Sequence, residues 1–144
     1  MCKDGVWLLE LNMDDNRYVG FSLGGIQFEY DEDKNRKNIE KHGISFKSAA
    51  RVFFDYDRIE YYDEEESAEE DRFDIIGDLS AGSINLFGVN DSTIGNIGKD
   101  TVVFVVYTER VKYMKDNKEV EVIRIISARY ATNFERGIYY GKYW

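Results

Sequence analysis

Residues 101–109 read Thr-Val-Val-Phe-Val-Val-Tyr-Thr-Glu, a run of β-branched and aromatic residues that is typical of a strand inside a sheet. A second run of this kind extends from Val120 to Arg129, and the polar stretch Lys-Asp-Asn-Lys at 115–118 lies between the two. Two strands joined by a short polar connection form an antiparallel hairpin. The sequence therefore predicts a long hairpin in the second half of the chain, with its tip at 116–117.

The register of this hairpin decides where its charged side chains point. With a symmetric tip and no bulge, Glu109 faces Arg124 and Arg110 faces Ile123. Strand alternation then places Arg110 and Arg129 on one face of the sheet and Arg124 on the other, unless a bulge intervenes. An arginine on the apolar face is costly without a partner. At least one of these arginines is therefore expected at the rim of the sheet or in an ion pair.

The chain before and after the hairpin predicts further strands and three helices. Asp31, Ser45 and Thr132 each stand in the N-cap position of a predicted helix, and Gly43 is suited to end the first of them. Alternating or apolar runs predict the other strands. The predicted strands are 6–12, 17–23, 26–30, 58–62 and 72–79, and the predicted helices are 32–42, one that follows Ser45, and 133–142.

This order of elements predicts an α+β fold in which helices cover an antiparallel sheet. The 144 residues of the chain suit a single domain. We expect residues 1–25 to be an N-terminal extension that forms a β-hairpin and residues 26–144 to be the main domain. Residues 82–98 are rich in Gly, Ser, Asn and Asp and are expected to be an insertion, either a long loop or an added hairpin.

Charge and composition exclude several classes of protein. Hydrophobic residues make up 43% of the chain, enough for a packed core, and neither a membrane-spanning run nor a signal peptide is evident. We therefore expect a soluble cytoplasmic protein. The net charge of -9 argues against nucleic acid as a partner. However, residues 55–71 contain ten acidic residues and one basic residue, so this segment holds the whole excess and a locally basic surface is possible elsewhere.

Motifs for common cofactors are missing from the sequence. There is no phosphate loop, HExxH, CxxC, EF-hand or GxSxG pattern, and Cys2 with His42 cannot furnish a zinc site. We therefore expect no metal and no cofactor. His42 follows Ile39 by three positions on the first helix, which favours packing near the helix end, with contact to a substrate as the alternative.

Arginines without a metal site suit one reaction, the cleavage of RNA through its own 2'-hydroxyl. Because the nucleophile belongs to the substrate, the protein supplies orientation, a base, a proton donor and positive charge on the transition state. Guanidinium groups bind phosphate oxygens in a bidentate manner. The alternative is that these arginines are solvated or paired.

Several stretches, taken in order, resemble the BrnT-type ribonuclease toxins of bacterial toxin–antitoxin pairs. The resemblance covers most of residues 28–140 and is specific through the order and spacing of its parts. Those parts are Phe-Glu-Tyr-Asp at 28–31, Lys-His-Gly-Ile-Ser-Phe at 41–46, Ala-Ala-Arg-Val-Phe at 49–53, Arg72, Ile-Gly at 76–77, Val-Val-Tyr-Thr-Glu-Arg at 105–110, Arg-Ile-Ile-Ser-Ala-Arg at 124–129, Glu135, Arg136 and Tyr139.

The resemblance implies a RelE-like fold, ribonuclease activity that inhibits translation, and neutralisation by a BrnA-like antitoxin. Such an antitoxin carries a ribbon-helix-helix domain, so DNA is contacted only indirectly, through the antitoxin. The resemblance implies phosphate binding and transition-state charge for some positions and proton transfer for others. The first group is Arg72, Arg110 and Arg129, with Arg124 as a further candidate, and the second is Lys41 or Glu109, with His42 as an alternative.

The acidic stretch 63–71 is unusual for a nuclease, because fixed negative charge near RNA weakens binding. It is expected to fold away from the site, to dock onto a basic antitoxin, or to mark a relative that kept the fold and lost the activity. The runner-up function is therefore a non-catalytic protein-binding module on a degenerate BrnT-like fold. A structural interaction domain built on the N-terminal strands is a third.

Overall fold

The structure is a computed structural model and describes residues 17–80 and 101–141. Within these residues the chain forms a sheet of six strands, three α-helices and a 3-10 helix. The strands are β1 Tyr18–Leu23, β2 Ile26–Asp31, β3 Ile59–Tyr62, β4 Phe73–Asp78, β5 Val102–Tyr113 and β6 Glu119–Tyr130. The helices are α1 Glu32–His42, α2 Phe46–Ala49, the 3-10 helix Ala50–Phe54 and α3 Asn133–Tyr139.

The predicted helix caps are confirmed. The side chain of Asp31 accepts hydrogen bonds at the start of α1, and Gly43 ends that helix in the left-handed conformation with a φ of 74°. Ser45 caps α2, and Thr132 forms a capping box at the start of α3. These local signals need only a few neighbouring residues, which is why the sequence reveals them.

The strands lie in the order β1-β2-β6-β5-β4-β3, and the α+β class is confirmed. The sheet is mixed rather than antiparallel throughout, because β2 and β6 run parallel. After β2 the chain crosses over through α1 and α2 and then forms the meander β3 to β6, which brings β6 back beside β2 in the same direction.

The hairpin of β5 and β6 is present, but its predicted register is wrong. Tyr113 pairs with Glu119, so the tip is centred on the single residue Asp116. Asn117, which follows it, adopts the left-handed conformation with a φ of 66°. Thr108 therefore faces Arg124, and Arg110 faces Val122. An odd-numbered tip of this kind shifts every pair by one residue relative to a symmetric two-residue turn.

The shifted tip places Arg124 on the face of Arg110, and a bulge in β6 then decides which face carries Arg129. Val106 pairs with Ser127 but Tyr107 pairs with Ile125, so Ile126 is the extra residue. Arg110 and Arg129 lie on one face as predicted, and Arg124 lies on that face too rather than on the opposite one. We call this side, with Arg110, Arg124 and Arg129, the arginine face.

The opposite face carries the hydrophobic core beneath α1, α2 and the 3-10 helix. Its buried residues include Phe28, Val105 and Ile125. Gly77 lies where the 3-10 helix approaches the sheet, and a Cβ there would stand 2.9 Å from the Cβ of Val52, so the close approach requires glycine. Among the described helices, only α3 packs on the arginine face, beside Ile76.

Helix α1 packs through polar rather than apolar side chains. Ile39 is 43% exposed, whereas Asn35 and Asn38 are buried. Asn38 donates to the carbonyl oxygen of Ile44 at 2.9 Å, and Asn35 accepts from the backbone N–H of Phe46 at 2.9 Å. Ile39 consequently does not provide the buried apolar environment expected beside His42.

The predicted strand 17–23 is β1, which pairs with β2 and forms an edge of the sheet. The predicted strand 6–12, the turn that follows it and the predicted insertion 82–98 lie outside the described residues. In the described part of the chain, no helix is long and apolar enough to cross a membrane.

Candidate functional site

The arginine face extends onto β4 and the chain next to it. Asp74 pairs with Val106 of β5, so its side chain shares the face of Arg110. The backbone N–H of Asp63 donates to the carbonyl oxygen of Arg72 at 2.9 Å, which continues the pairing of β3 with β4. By strand alternation Asp63, Arg72 and Asp74 all lie on the arginine face.

Arg72 and Arg110 converge on one carboxylate, that of Glu70. Arg110 Nη1 lies 3.0 Å from Glu70 Oε1, and Arg72 Nη2 lies 3.4 Å from Glu70 Oε2. The three side chains are 28–39% exposed, and they line a recess of about 440 Å³. Two guanidinium groups thus share one carboxylate, and guanidinium groups bind oxyanions in this manner.

The acidic segment is attached to the sheet beside these arginines. The hydroxyl of Thr108 donates to the carbonyl oxygen of Asp71 at 2.7 Å, and Tyr62 donates to the carboxylate of Asp71 at 3.0 Å. The Glu66 carboxylate also lies 3.8 Å from Arg72. The expectation that the segment folds away from the predicted site is therefore wrong, because its side chains neutralise Arg72 and Arg110.

Arg124 belongs to a buried ion triad on the same face. Its Nε lies 2.6 Å from Glu29 Oε2, and Lys112 Nζ lies 2.7 Å from Glu29 Oε1. The ring of Tyr18 stacks on Arg124, with the guanidinium carbon 3.8 Å from the ring centroid. Glu29 is fully buried, although the alternation of 26–30 predicts it on the solvent side of a half-buried strand. Its two cationic partners compensate the cost of this burial.

Arg129 is held by a bidentate ion pair. Its two terminal nitrogens donate to the carboxylate of Glu135 at 2.8 and 2.9 Å, and its guanidinium lies over the ring of Phe104. The hydrogen bonds that Arg129 donates to Glu135 raise the pKa of Arg129. Burial acts to raise the pKa of Glu135, but hydrogen bonds from Arg129 and Thr132 outweigh it, and the net change is a lowered pKa. Each of the four predicted arginines thus has a carboxylate partner.

Two carboxyl groups share this face on β4 and next to β3. Asp74 is 3% exposed, and the carboxylate of Asp63 accepts from the backbone N–H of Glu66 at 3.1 Å. Burial first, and then Asp63, raise the pKa of Asp74 to about 7. Burial and the charge of Asp74 also raise the pKa of Tyr61, which is opposite Asp74 on β3. This cluster can hold a proton near neutral pH.

The remaining predicted residues lie apart from these groups. Glu109 is exposed and pairs with Ile123 on the other face of the sheet. Lys41 is exposed in the last turn of α1, which packs on the core side. His42 is partly buried beside it, and burial, followed by the charges of Lys41 and Arg129, lowers its pKa. The structure therefore brings Arg72 and Arg110 together. Arg124 and Arg129 lie elsewhere on the same face, in other ion pairs, and Glu109 lies on the other face.

Part of the chain matches the sequence profile of a known protein family. Residues 30–89 match the sequence profile of the BrnT family, described as the ribonuclease toxin of a type II toxin-antitoxin system. The BrnT resemblance is confirmed. The family implies a ribonuclease toxin with an RNA target and an antitoxin partner. No curated protein matches the chain.

The BrnT match includes Lys41, His42 and Arg72, as well as the acidic segment, but ends before β5. The roles of all seven predicted site residues, inside and outside the match, remain predictions. Among residues 17–80 and 101–141, no three His, Cys, Asp or Glu side chains are placed together to hold a metal ion.

Sequence reasoning missed three residues of this face: Asp63, Glu70 and Asp74. Asp63 and Glu70 belong to an acidic run that has the pattern of a solvated loop. Asp74 carried a detectable signal, since it is the acidic residue directly before the apolar pair Ile75 and Ile76 in a predicted strand. A carboxylate within such a strand needs a partner or a proton.

Proposed function

We propose that this protein is a metal-independent endoribonuclease toxin that cleaves RNA and thereby inhibits translation. The observation that carries this proposal is the convergence of Arg72 and Arg110 on one anion, in a chain whose residues 30–89 match a family of ribonuclease toxins. An RNA phosphate takes the place of the Glu70 carboxylate between the two guanidinium groups.

Substitution of phosphate for carboxylate at this site is chemically reasonable. Both are oxyanions that accept paired hydrogen bonds from guanidinium groups, and phosphate carries more acceptor oxygens. The Glu70 ion pairs are partly exposed, so they are worth only about 0 to 1 kcal/mol each. An RNA phosphate can therefore displace Glu70 at a small cost in free energy.

Cleavage itself uses the 2'-hydroxyl of the RNA as nucleophile. Arg72 and Arg110 orient the phosphate and stabilise the negative charge that develops on its oxygens. Arg129 adds positive charge from β6. We assign Arg124 a structural role in the triad with Glu29 and Lys112, because it is 9% exposed and already carries two hydrogen bonds.

A BrnA-like antitoxin with a ribbon-helix-helix DNA-binding domain is the proposed partner, and it neutralises the toxin in the cytoplasm. The acidic segment supports this proposal, because Glu64, Glu65 and Glu69 are exposed beside the arginine recess. A basic segment of the antitoxin that contacts them would cover the phosphate site.

The second candidate is a non-catalytic protein-binding module. The observation that favours it is that each predicted arginine already has a carboxylate partner. In that case the ion pairs are permanent parts of the fold and bind no RNA.

Induced expression of the wild type beside the double variant R72A/R110A, scored for growth and for RNA integrity, separates the two candidates. Arg72 and Arg110 are 28% and 39% exposed, so their removal should leave the fold intact. The nuclease proposal predicts growth arrest and RNA cleavage with the wild type and neither with the double variant. Intact RNA with the wild type, or equal toxicity of both proteins, would refute it.

A further inference from the structure

The ribonuclease proposal accounts for the arginines but leaves three lysines of α1 without a role. Lys34, Lys37 and Lys41 follow each other at intervals of three and four residues, so they form one stripe along the helix, which we call the lysine stripe. All three side chains are exposed. None of these side chains forms a hydrogen bond or an ion pair with a residue in 17–80 or 101–141. They therefore differ from the four predicted arginines, which all have carboxylate partners.

Helix α1 lies beside β6 where the neighbouring strand has ended. β2 pairs with β6 as far as Tyr30 and Ile125, and α1 begins two residues after Tyr30. Farther along β6, the backbone N–H of Ala128 donates to the side chain of Asn38 at 3.3 Å. Because the helix starts near Ile125 and reaches Ala128 later, it runs along the edge of β6 in the same direction as that strand.

The end of the lysine stripe lies level with Arg129. Lys41 follows Asn38 by three residues, a rise of about 4.5 Å along a helix. Arg129 follows Ala128 by one residue, about 3.3 Å along a strand. Burial, and then the charges of Lys41 and Arg129, lower the pKa of His42, which agrees with a position of both cations near the end of α1.

The direction of the lysine stripe follows from the side chains that hold α1. Asn38 points to the edge of β6, and Asn35 points to the core side, where it accepts from the backbone N–H of Phe46. Successive residues turn by about 100° around a helix, so the lysine stripe lies on the other side of Asn38 from Asn35. The acidic residues Asp33 and Glu40 follow farther round the helix. The lysine stripe therefore borders the arginine face, although α1 itself covers part of the core.

We propose that the lysine stripe binds the phosphates of an RNA strand whose scissile phosphate lies between Arg72 and Arg110. This inference rests on the proposed function and adds to it the path of the RNA beyond the recess. Lysine ammonium groups attract phosphates as point charges, and phosphate contacts orient a strand without reading its bases. The strand runs from the recess across the sheet, past Arg129, to the exposed side of α1.

The separation of the recess from the lysine stripe makes the length of the RNA matter. Arg110 lies opposite Val122, and Lys41 lies level with Arg129, so the two sites are roughly 20 Å apart along β6. A trinucleotide fills the recess alone, whereas a dodecanucleotide also reaches the lysine stripe. Contacts with the stripe therefore add affinity only for the longer strand.

The test measures how K34Q/K37Q, R72A/R110A and the wild type bind a trinucleotide and a dodecanucleotide that carry 2'-deoxyribose and cannot be cleaved. Lysine and glutamine have similar helix propensities, so K34Q/K37Q removes charge and keeps the helix. The charge-matched control is K47Q/K118Q, because Lys47 and Lys118 are exposed and lie away from the stripe, on α2 and at the hairpin tip. Affinities are measured over a range of salt concentrations.

We expect K34Q/K37Q to bind the dodecanucleotide roughly 3- to 20-fold more weakly than the wild type and to bind the trinucleotide equally well. Each phosphate contact on a single strand contributes about 0.7 to the slope of log affinity against log salt, so the slope for the dodecanucleotide should fall by about 1.4 in this variant. K47Q/K118Q should keep the wild-type affinity and slope, and R72A/R110A should lose affinity for both oligonucleotides. Retained binding of the trinucleotide shows that K34Q/K37Q is folded.

Equal binding of the dodecanucleotide by K34Q/K37Q and K47Q/K118Q would overturn the inference, as would an equal loss for both lengths. The proposed function would still stand in either case if the wild type cleaves RNA and R72A/R110A does not. A length-dependent loss in K34Q/K37Q, with a wild type that cleaves no RNA, would support the RNA path and overturn the nuclease activity. Tighter binding of polyglutamate than of the dodecanucleotide would assign the lysine stripe to an acidic protein partner and overturn the inference.

Discussion

Two clusters on the arginine face have the same pattern of charge but differ in how far their side chains are exposed to solvent. In each, one glutamate lies between two cationic side chains, Glu29 between Lys112 and Arg124 and Glu70 between Arg72 and Arg110. The side chains around Glu29 are 0–11% exposed, and those around Glu70 are 28–39% exposed.

This difference separates a structural cluster from a displaceable one. Removing one member of a buried ion cluster leaves an uncompensated charge away from water, which costs several kcal/mol. Removing a member of an exposed cluster leaves a charge that water solvates. The triad around Glu29 therefore links β2 to β5 and β6, whereas Glu70 can leave its two arginines, as the proposed phosphate site requires.

The largest effect is expected from E29Q. This substitution removes the buried anion that Lys112 and Arg124 share, so we expect the free energy of unfolding to fall by about 3 to 5 kcal/mol. Chemical denaturation of E29Q, with E70Q as the matched control, measures it. If E29Q and E70Q lost the same free energy of unfolding, burial would not explain any difference in stability between the two clusters.

A smaller effect concerns Asp74, two residues from Arg72 of the exposed cluster, and depends on pH. Because the pKa of Asp74 is raised from 3.8 to about 7, the folded state binds more protons than the unfolded state between these values. The stability that Asp74 contributes is present below pH 4 and is lost as pH rises through 7.

We therefore expect the wild type to lose about 1 to 3 kcal/mol relative to D74N between pH 5 and pH 8. Denaturation of both proteins across this range provides the measurement. The same pH dependence in D74N would show that another group is responsible.

The smallest effect on stability is expected from E70Q. The partly exposed ion pairs of Glu70 contribute about 0 to 1 kcal/mol, and part of this is screened by salt. The free energy of unfolding of E70Q should therefore lie within about 1 kcal/mol of the wild-type value, and closer at high ionic strength. A loss of several kcal/mol would place Glu70 among the structural residues.

Local signals account for the part of the fold that the sequence predicts. Asp31, Gly43, Ser45 and Thr132 act on their near neighbours, so the positions of the caps follow from the sequence. The register of β5 and β6 does not, because it depends on the left-handed conformation of Asn117 and on the bulge at Ile126. The one-residue shift at the tip moves Arg124 onto the face of Arg110, and the extra residue in β6 keeps Arg129 on that face.

The predicted site depends on contacts between distant residues, which a single sequence does not specify. Glu29 meets Arg124 across 95 positions, and nothing near Glu29 predicts that it is fully buried. Glu70 looks like any other residue of an acidic loop until β5 brings Arg110 beside it. The arginines were therefore identifiable from the sequence, but their carboxylate partners were not.

The most direct test of the central claim, that Glu70 occupies a phosphate site, is the affinity of E70Q for an RNA analogue with 2'-deoxyribose. E64Q serves as the charge-matched control, and R72A/R110A/E70Q tests whether the arginines are required. We predict that E70Q binds several-fold more tightly than both the wild type and E64Q and that the triple variant loses this gain. Equal binding by E70Q and E64Q, or a gain that persists without the two arginines, would contradict the account.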